Sequence, residues 1–230
     1  MDNAIEASVF KYKRFVPSLM EKYGFSKTDG KYVYETLFMN GAFQAKLTIS
    51  EDGSFCGEVV DVMNEEIYAH LRMEAFDGPY VNSVRSAYIE VLSDIASKCC
   101  TDVLFYSDQA NRITAWILKR YGVRPDFPWD EKPHKSSGVF RHTDNRKWFG
   151  LIMNLKMGQL LKNKDNTPVD VMNLKIDPYD GEKLRTVFGI FEAYHMNHKS
   201  WISVVLNDTL DDKAVMILVE ESFNLTSQTV

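Results

Sequence analysis

Few residues in this chain have the types and spacing that chemistry requires. Glu192, His195 and His198 stand three apart, so a helix running through them would set three potential metal ligands along one side. Asn197 favours a turn, however, and Trp201 opens a strand-like run three residues later. A helix-to-strand junction with exposed histidines is therefore expected, and no metal site is assigned. The pairs Glu65-Glu66, Asp211-Asp212 and Glu220-Glu221 have the right type for general acid and base work. Neighbours in sequence do not face each other on a helix. The first two pairs stand near expected helix starts, where negative charge is favoured, so all three read as helix-end or solvated-face charges. Cys56, Cys99 and Cys100 form no CxxC pair, and Cys56 lies among Phe55 and Val59 with no neighbour that would activate it. GxGxxG, GxxxxGK[ST], GxSxG and HExxH are all missing from the chain. The expectation is a protein with no catalytic residues, no metal and no cofactor.

Basic residues are the other candidates. Residues 1–100 hold 10 Lys and Arg against 15 Asp and Glu, a net of −5, whereas residues 101–230 hold 17 of each and are neutral. Within the neutral half, Arg141, His142, Arg146 and Lys147 flank an expected hairpin turn. Lys156, Lys162 and Lys164 ride the polar loop after the next strand, Lys175 ends a third, and His198-Lys199 precedes a fourth. Lys and Arg on hairpins are one way to touch phosphates, and solvated strand ends are the other reading of the same charges. Trp148 and Trp201 each start a strand. Bulky aromatics there usually anchor a sheet core, and a platform for stacking bases would need an open face, so a core role is expected for both.

The elements that position these residues follow from periodicity. Ile5, Val9, Tyr12, Val16, Met20 and Tyr23 recur at helical spacing up to Gly24, with Pro17 expected to kink or split that helix. Tyr32 to Phe38, Phe43 to Ile49 and Phe55 to Val60 read as strands, separated by Asn40-Gly41 and Glu51-Asp52-Gly53, and so as an antiparallel meander. A short helix is expected after Asn64. A long one from Pro79 carries Val81, Val84, Tyr88, Val91, Leu92 and Ile95 on one face. Beyond residue 107, Ser107 or Asp108 caps a helix closed by Gly122, and prolines 125, 128 and 133 force an extended stretch to Ser137. Strands follow at Gly138–His142, Lys147–Leu155, Val169–Ile176 and Trp201–Leu206. A helix start is expected at Asp177-Pro178-Tyr179-Asp180 and a final helix after Asp211-Asp212. The fold class is α+β, in two small domains at residues 1–100 and 107–230, each an antiparallel sheet packed with helices.

Length and composition agree: 230 residues, 45% hydrophobic and 26% charged, is globular composition and excludes disordered, collagen-like and disulfide-scaffold chains. The formal charge of −5 argues against coating nucleic acid by bulk charge. The N-terminus lacks the apolar run of a secretory signal, no stretch approaches a membrane span, and the cysteines suit a reducing compartment. A soluble cytoplasmic protein is expected, with the two Asn-x-Thr sequences unused.

The stretch from about Ser107 to Leu225 resembles the MmcQ/YjbR family. The residues that carry the resemblance are Pro128-Trp129, Gly138-Val139-Phe140-Arg141, Lys147-Trp148-Phe149, Leu174-Lys175-Ile176-Asp177-Pro178, the run Met196 to Val204, and Glu221 to Leu225. The first hundred residues resemble the extra N-terminal domain of longer members. The resemblance implies a small frataxin-like, double-wing α+β domain related to DNA-binding modules, with Lys175, Asn197, Lys199 and Trp201 at characteristic positions. Where the family pattern has a basic residue and then His before the Trp, this chain has Lys199-Ser200, so no role for that histidine carries over. The reading is a non-enzymatic protein contacting duplex DNA through Arg141, Arg146, Lys147, Lys156, Lys162 and Lys164, with Lys175, His198 and Lys199 on the same face. The alternative is a protein-interaction or small-ligand module that works through the acidic N-terminal domain.

Overall fold

The computed structural model describes residues 3–73, 75–129 and 136–227. The chain forms two compact units, Met1–Val103 and Leu104–Val230, each an antiparallel sheet packed against helices.

In the first unit, α1 (Ala4–Phe10), β1 (Lys13–Phe15) and α2 (Pro17–Tyr23) lead into β2 (Ser26–Thr28), β3 (Lys31–Phe38), β4 (Phe43–Ser50), β5 (Phe55–Asp61) and β6 (Glu66–Ile67). A 3-10 turn at Ala69–Arg72, α3 (Pro79–Cys99) and β7 (Cys100–Asp102) complete it. Strands β2 to β6 pair in chain order, a true meander. Strand β4 alternates buried and half-buried residues, with Phe43, Ala45, Leu47 and Ile49 turned to the core, as its period of two requires. Val84, Tyr88, Leu92 and Ile95 of α3 face them. The helical stretch expected from residue 5 to 23 is split, with the second helix starting at Pro17, and the strand between the two helices is the part not expected. Val16, held extended by the proline after it, passes its N–H to the Cys99 carbonyl, and β1 pairs with β7. The short helix expected after Asn64 is also replaced. The Asp61 carboxylate accepts from the Met63 and Asn64 amides, Glu65 takes a left-handed φ of 55°, and Glu66-Ile67 returns as a strand against Val60 and Asp61.

The second unit comprises α4 (Asp108–Tyr121), β8 (Gly138–Arg141), β9 (Trp148–Lys156), α5 (Met157–Leu161), β10 (Pro168–Lys175), α6 (Gly181–Leu184), β11 (Ile190–Glu192), β12 (Trp201–Val205) and α7 (Asp212–Ser227). The sheet order is β11-β12-β10-β9-β8, antiparallel throughout. Ser107 caps α4 by accepting from the Ala110 amide, and Gly122 ends the helix at φ 70°. Ile113 and Ile117 of α4, with Val215 and Val219 of α7, pack on Phe140, Ile152, Met172, Leu174, Ile202 and Val204. The opposite face carries Val139, Leu151, Met153, Val171 and Val205, also buried, under Trp129, Leu160, Phe191 and Tyr194. Strand β10 is therefore buried on both faces.

Three expectations change in this unit. The polar loop after β9 contains α5, whose C-cap Lys162 takes φ 56°. Asp177 starts a turn rather than a helix: its carboxylate accepts from the Tyr179 amide and its carbonyl from Asp180, and the helix is only Gly181–Leu184. Glu192 ends strand β11 instead of lying on a helix. Part of the proline-rich stretch, residues 130–135, lies outside the described residues.

Candidate functional site

The two expected tryptophan anchors lie at the same end of the second sheet. Lys175 of β10 sits opposite Trp201 of β12, Arg141 of β8 sits opposite Trp148 of β9, and Leu174 faces Gly150 across β10 and β9. A register shift between Phe140 and Arg141 lets Phe149 turn into the helix-side core beside Phe140. Alternation then places Arg141 with Val139, Lys175 with Val171, and Trp201 with Val205, on the face away from α4 and α7. Across four strands this end of the face therefore carries two cross-strand pairs, Trp201 with Lys175 and Trp148 with Arg141, each one aromatic and one cation. The Lys175 Nζ lies 5.6 Å from the Trp201 ring centre and the Arg141 guanidinium 4.9 Å from that of Trp148. These are cation–π distances that keep each charge over an indole face. Trp129 meets Trp148 edge to face at 6.1 Å. Both strand-initial tryptophans are half-buried, and Trp148 packs on the buried cluster of this face. Each sits at the margin of the packed face, with a cation over it. The strand ends are fixed from the helix side by Ser222, whose hydroxyl accepts from the Lys175 amide and donates to the Phe149 carbonyl.

The remaining basic residues do not converge on that sheet end. Arg146, at φ 58° in the β8–β9 turn, and Arg141 both bind Asp126, at 3.2 and 3.1 Å. Asp126 exchanges both backbone hydrogen bonds with Val139, two residues before Arg141 on the same face, which delivers its carboxylate to the two guanidinium groups. Lys147 is exposed in the same turn, where its amide donates to Asn145. Lys156 closes β9 at the far end from Trp148, about 26 Å away at the rise of an extended strand. Lys164 follows α5, and Lys162 reaches Glu192 at 3.6 Å. Glu192 also meets His198 Nδ1 at 3.7 Å, while His195 turns instead against the Tyr194 ring. Glu192, His195 and His198 thus do not form a ligand set, and no group of three His, Cys, Asp or Glu among the described residues could hold a metal ion. Lys199 is exposed two residues before Trp201.

The loop from Ala193 to Ser200 is held by a buried neutral network. Asn173 donates to the Tyr194 carbonyl at 2.8 Å and accepts from Ser203 Oγ at 2.6 Å, Ser203 Oγ accepts from the Tyr194 amide, and Gln159 donates to the Tyr194 hydroxyl. Sequence reading missed this network and missed Asp126, because nothing near either in the chain shows the partner. The other titratable candidates are structural. Asp212 and Asp208 clamp Arg112, the Asp211 carboxylate accepts from the Ala214 amide, and Glu220 pairs with Arg120. Burial pushes the Cys99 thiol up to about 11 and the Cys100 thiol up to about 12, the opposite of an activated nucleophile.

A five-stranded antiparallel sheet with α4 and α7 on one face, α5 against the other, and tryptophans and cations paired at one end defines the C-terminal unit as a small α+β module. The YjbR family model matches residues 118–225. An uncharacterized Bacillus subtilis protein, YyaQ, is 39% identical over 110 residues, which are 48% of this chain and 91% of that protein. This chain belongs to the YjbR family. A Pseudomonas syringae protein known from a crystal structure is 41% identical, covering 50% of this chain and 96% of its own, with a TM-score of 0.47. A Deinococcus radiodurans protein is 21% identical with a TM-score of 0.38 over 53% of this chain and 78% of its own.

Proposed function

We propose that the C-terminal unit binds nucleic acid, duplex DNA foremost, at the end of the sheet that carries Arg141, Lys175 and the two tryptophans. The observation that carries the reading is the register that sets Lys175 opposite Trp201 and Arg141 opposite Trp148 at the same end of the sheet. A cation held over an indole loses less side-chain freedom when it meets a phosphate. Lys175 and Lys199 have no carboxylate partner among the described residues, so both remain available for phosphate. The reading is narrower than a surface using every basic strand end, since Arg141 and Arg146 share Asp126, Lys162 leans on Glu192, and Lys156 is remote. Binding of this kind reads no bases and depends steeply on salt.

Fluorescence anisotropy with a labelled duplex tests it. The full chain is expected to bind at about 50 mM salt and to lose at least about tenfold in affinity by about 200 mM. Lys175→Ala and Lys199→Ala should weaken binding, and Lys156→Ala should leave it unchanged. Absence of binding at the lower salt, or equal effects of all three substitutions, would overturn the assignment.

A further inference from the structure

The N-terminal unit holds a cavity of about 650 Å³ between α1, the 3-10 turn and α3, within the range of small-molecule sites. Its walls are aliphatic, Ile5 and Val9 from α1, Leu71 from the turn and Ile89 from α3, and two guanidinium groups, Arg72 and Arg85, stand in its lining. The two arginines are in different electrostatic states. Arg72 is committed to the buried Glu6 carboxylate through two hydrogen bonds of 2.9 and 2.6 Å, and its charge is balanced there. Among the described residues, Arg85 donates only to neutral acceptors: Nε to the Leu71 carbonyl at 3.1 Å, Nη1 to Asn82 Oδ1 at 2.5 Å and Nη2 to the Phe76 carbonyl at 3.3 Å. These three bonds fix the fork against the turn and use three of its five N–H groups, leaving one on each terminal nitrogen. A half-buried, immobilised and uncompensated cation beside an aliphatic cavity is a partial site for one kind of molecule, because burying the tail gains hydrophobic free energy while the head supplies the missing charge.

We propose that this cavity binds an amphipathic monocarboxylate, with the aliphatic tail along Ile5, Val9, Leu71 and Ile89 and the carboxylate on Arg85. The site is separate from the sheet end of the C-terminal unit and stands whether or not that unit binds DNA. In a unit whose net charge is strongly negative, long-range attraction of anions is absent, so selection rests on the one local guanidinium and the tail together.

The test uses octanoate and 1-octanol, the same tail with and without the charge, titrated into the full-length protein by calorimetry. Octanoate should bind saturably at one site, about tenfold more tightly than octanol, the factor that one charge-assisted hydrogen bond supplies. Arg85→Gln should reduce that preference to about twofold while leaving octanol affinity unchanged, and Arg85→Lys should retain part of it. Should Arg85→Gln unfold the turn, Ile89→Glu decides: Ile89 is 37% exposed, so the fold tolerates the change, and a carboxylate in the cavity wall should abolish octanoate binding. No saturable octanoate binding, equal affinity for octanol, or binding undiminished in Ile89→Glu would each overturn the proposal.

Discussion

Among the described residues, the one buried polar side chain of the N-terminal unit is a charge, whereas the buried polar groups of the C-terminal unit, Asp170 apart, are neutral. Glu6, fully buried, accepts from Arg72 and from the Tyr88 hydroxyl at 2.6 Å, and Arg72 also donates to the Gly57 carbonyl at 2.7 Å. Gly57 leaves the space for this cluster, since a Cβ there would lie 2.1 Å from Glu6 Oε1 and 2.3 Å from the Tyr88 oxygen. Burial and the neighbouring carboxylate hold the Tyr88 phenol far above its ordinary range. In the C-terminal unit, Asn173, Ser203, Ser222 and Thr226 satisfy one another and the backbone without net charge. The difference teaches where each unit is brittle. A charged cluster fails all at once when one member is lost, whereas a neutral network loses one bond at a time.

The largest effect should come from breaking the charged cluster. Glu6→Ala strands a mostly buried guanidinium, and Gly57→Ala drives a methyl into the same carboxylate, so each is expected to cost about 3–5 kcal/mol in urea unfolding. The double variant should cost little more than either alone, because both disable one unit of structure. Additive losses would show that the two residues act separately. The neutral network should be softer: Asn173→Ala is expected to cost about 1–3 kcal/mol and to raise hydrogen exchange at the Tyr194 amide, which rests on Ser203.

A third effect separates the units by pH. His142 is buried with a ring nitrogen 2.8 Å from Thr226 Oγ1, and burial lowers its pKa, so the folded state holds it neutral. The unfolded chain therefore takes up the proton first. Its stabilisation is complete above the ordinary imidazole value of about 6.5 and is lost as pH falls through the depressed folded value. Between about pH 7 and pH 5, the native chain should lose more stability than His142→Gln, and parallel curves would refute the assignment. Asp170 acts in the opposite sense at lower pH. Burial raises its pKa, against the hydrogen bonds from Ser107 and Asn154, so its contribution is present below the ordinary carboxylate range and falls away as pH rises through the raised value.

The smallest effect on stability, and the sharpest on function, should come from Asp126→Asn. The ion pairs it removes are half-exposed, so stability should change by no more than about 0.5 kcal/mol. Arg141 and Arg146 would be released, and affinity for duplex DNA at low salt should rise by about two- to fivefold if the sheet end is the contact surface. Unchanged or weaker binding would separate the arginines from any phosphate contact.

Some of this was legible in the chain. The alternation of β4, the buried stripe of α3, the Ser107 cap and the Gly122 end are set by residues within a turn or two of each other, and the structure keeps them. Strand β11 and the strand β1 between the first two helices were not legible. Each is three residues long and is defined by a partner far along the chain, β12 and β7, rather than by a pattern of its own. The candidate site divides in the same way. Lys175 and Trp201 could be singled out from their place in the sequence resemblance, but that they share one sheet end with Trp148 and Arg141 could not, because it depends on strand order and on the register shift beside Phe140.

The amino-acid sequence alone determined the class of elements, their approximate bounds and the acidity of the first hundred residues, because helix period, strand alternation and capping are local physics. Only the tertiary structure decided which charges remain free. Splitting at the observed boundary gives the first unit 10 basic against 16 acidic residues and the second 17 against 16, yet those totals do not say that Asp126 occupies both Arg141 and Arg146. Nor do they say that Glu6 meets Tyr88 across 82 residues or that Arg85 donates to the Leu71 and Phe76 carbonyls and to Asn82. Coulomb and hydrogen-bond energies fall off over a few ångströms, and separation along a chain does not fix separation in space until the register and packing are set.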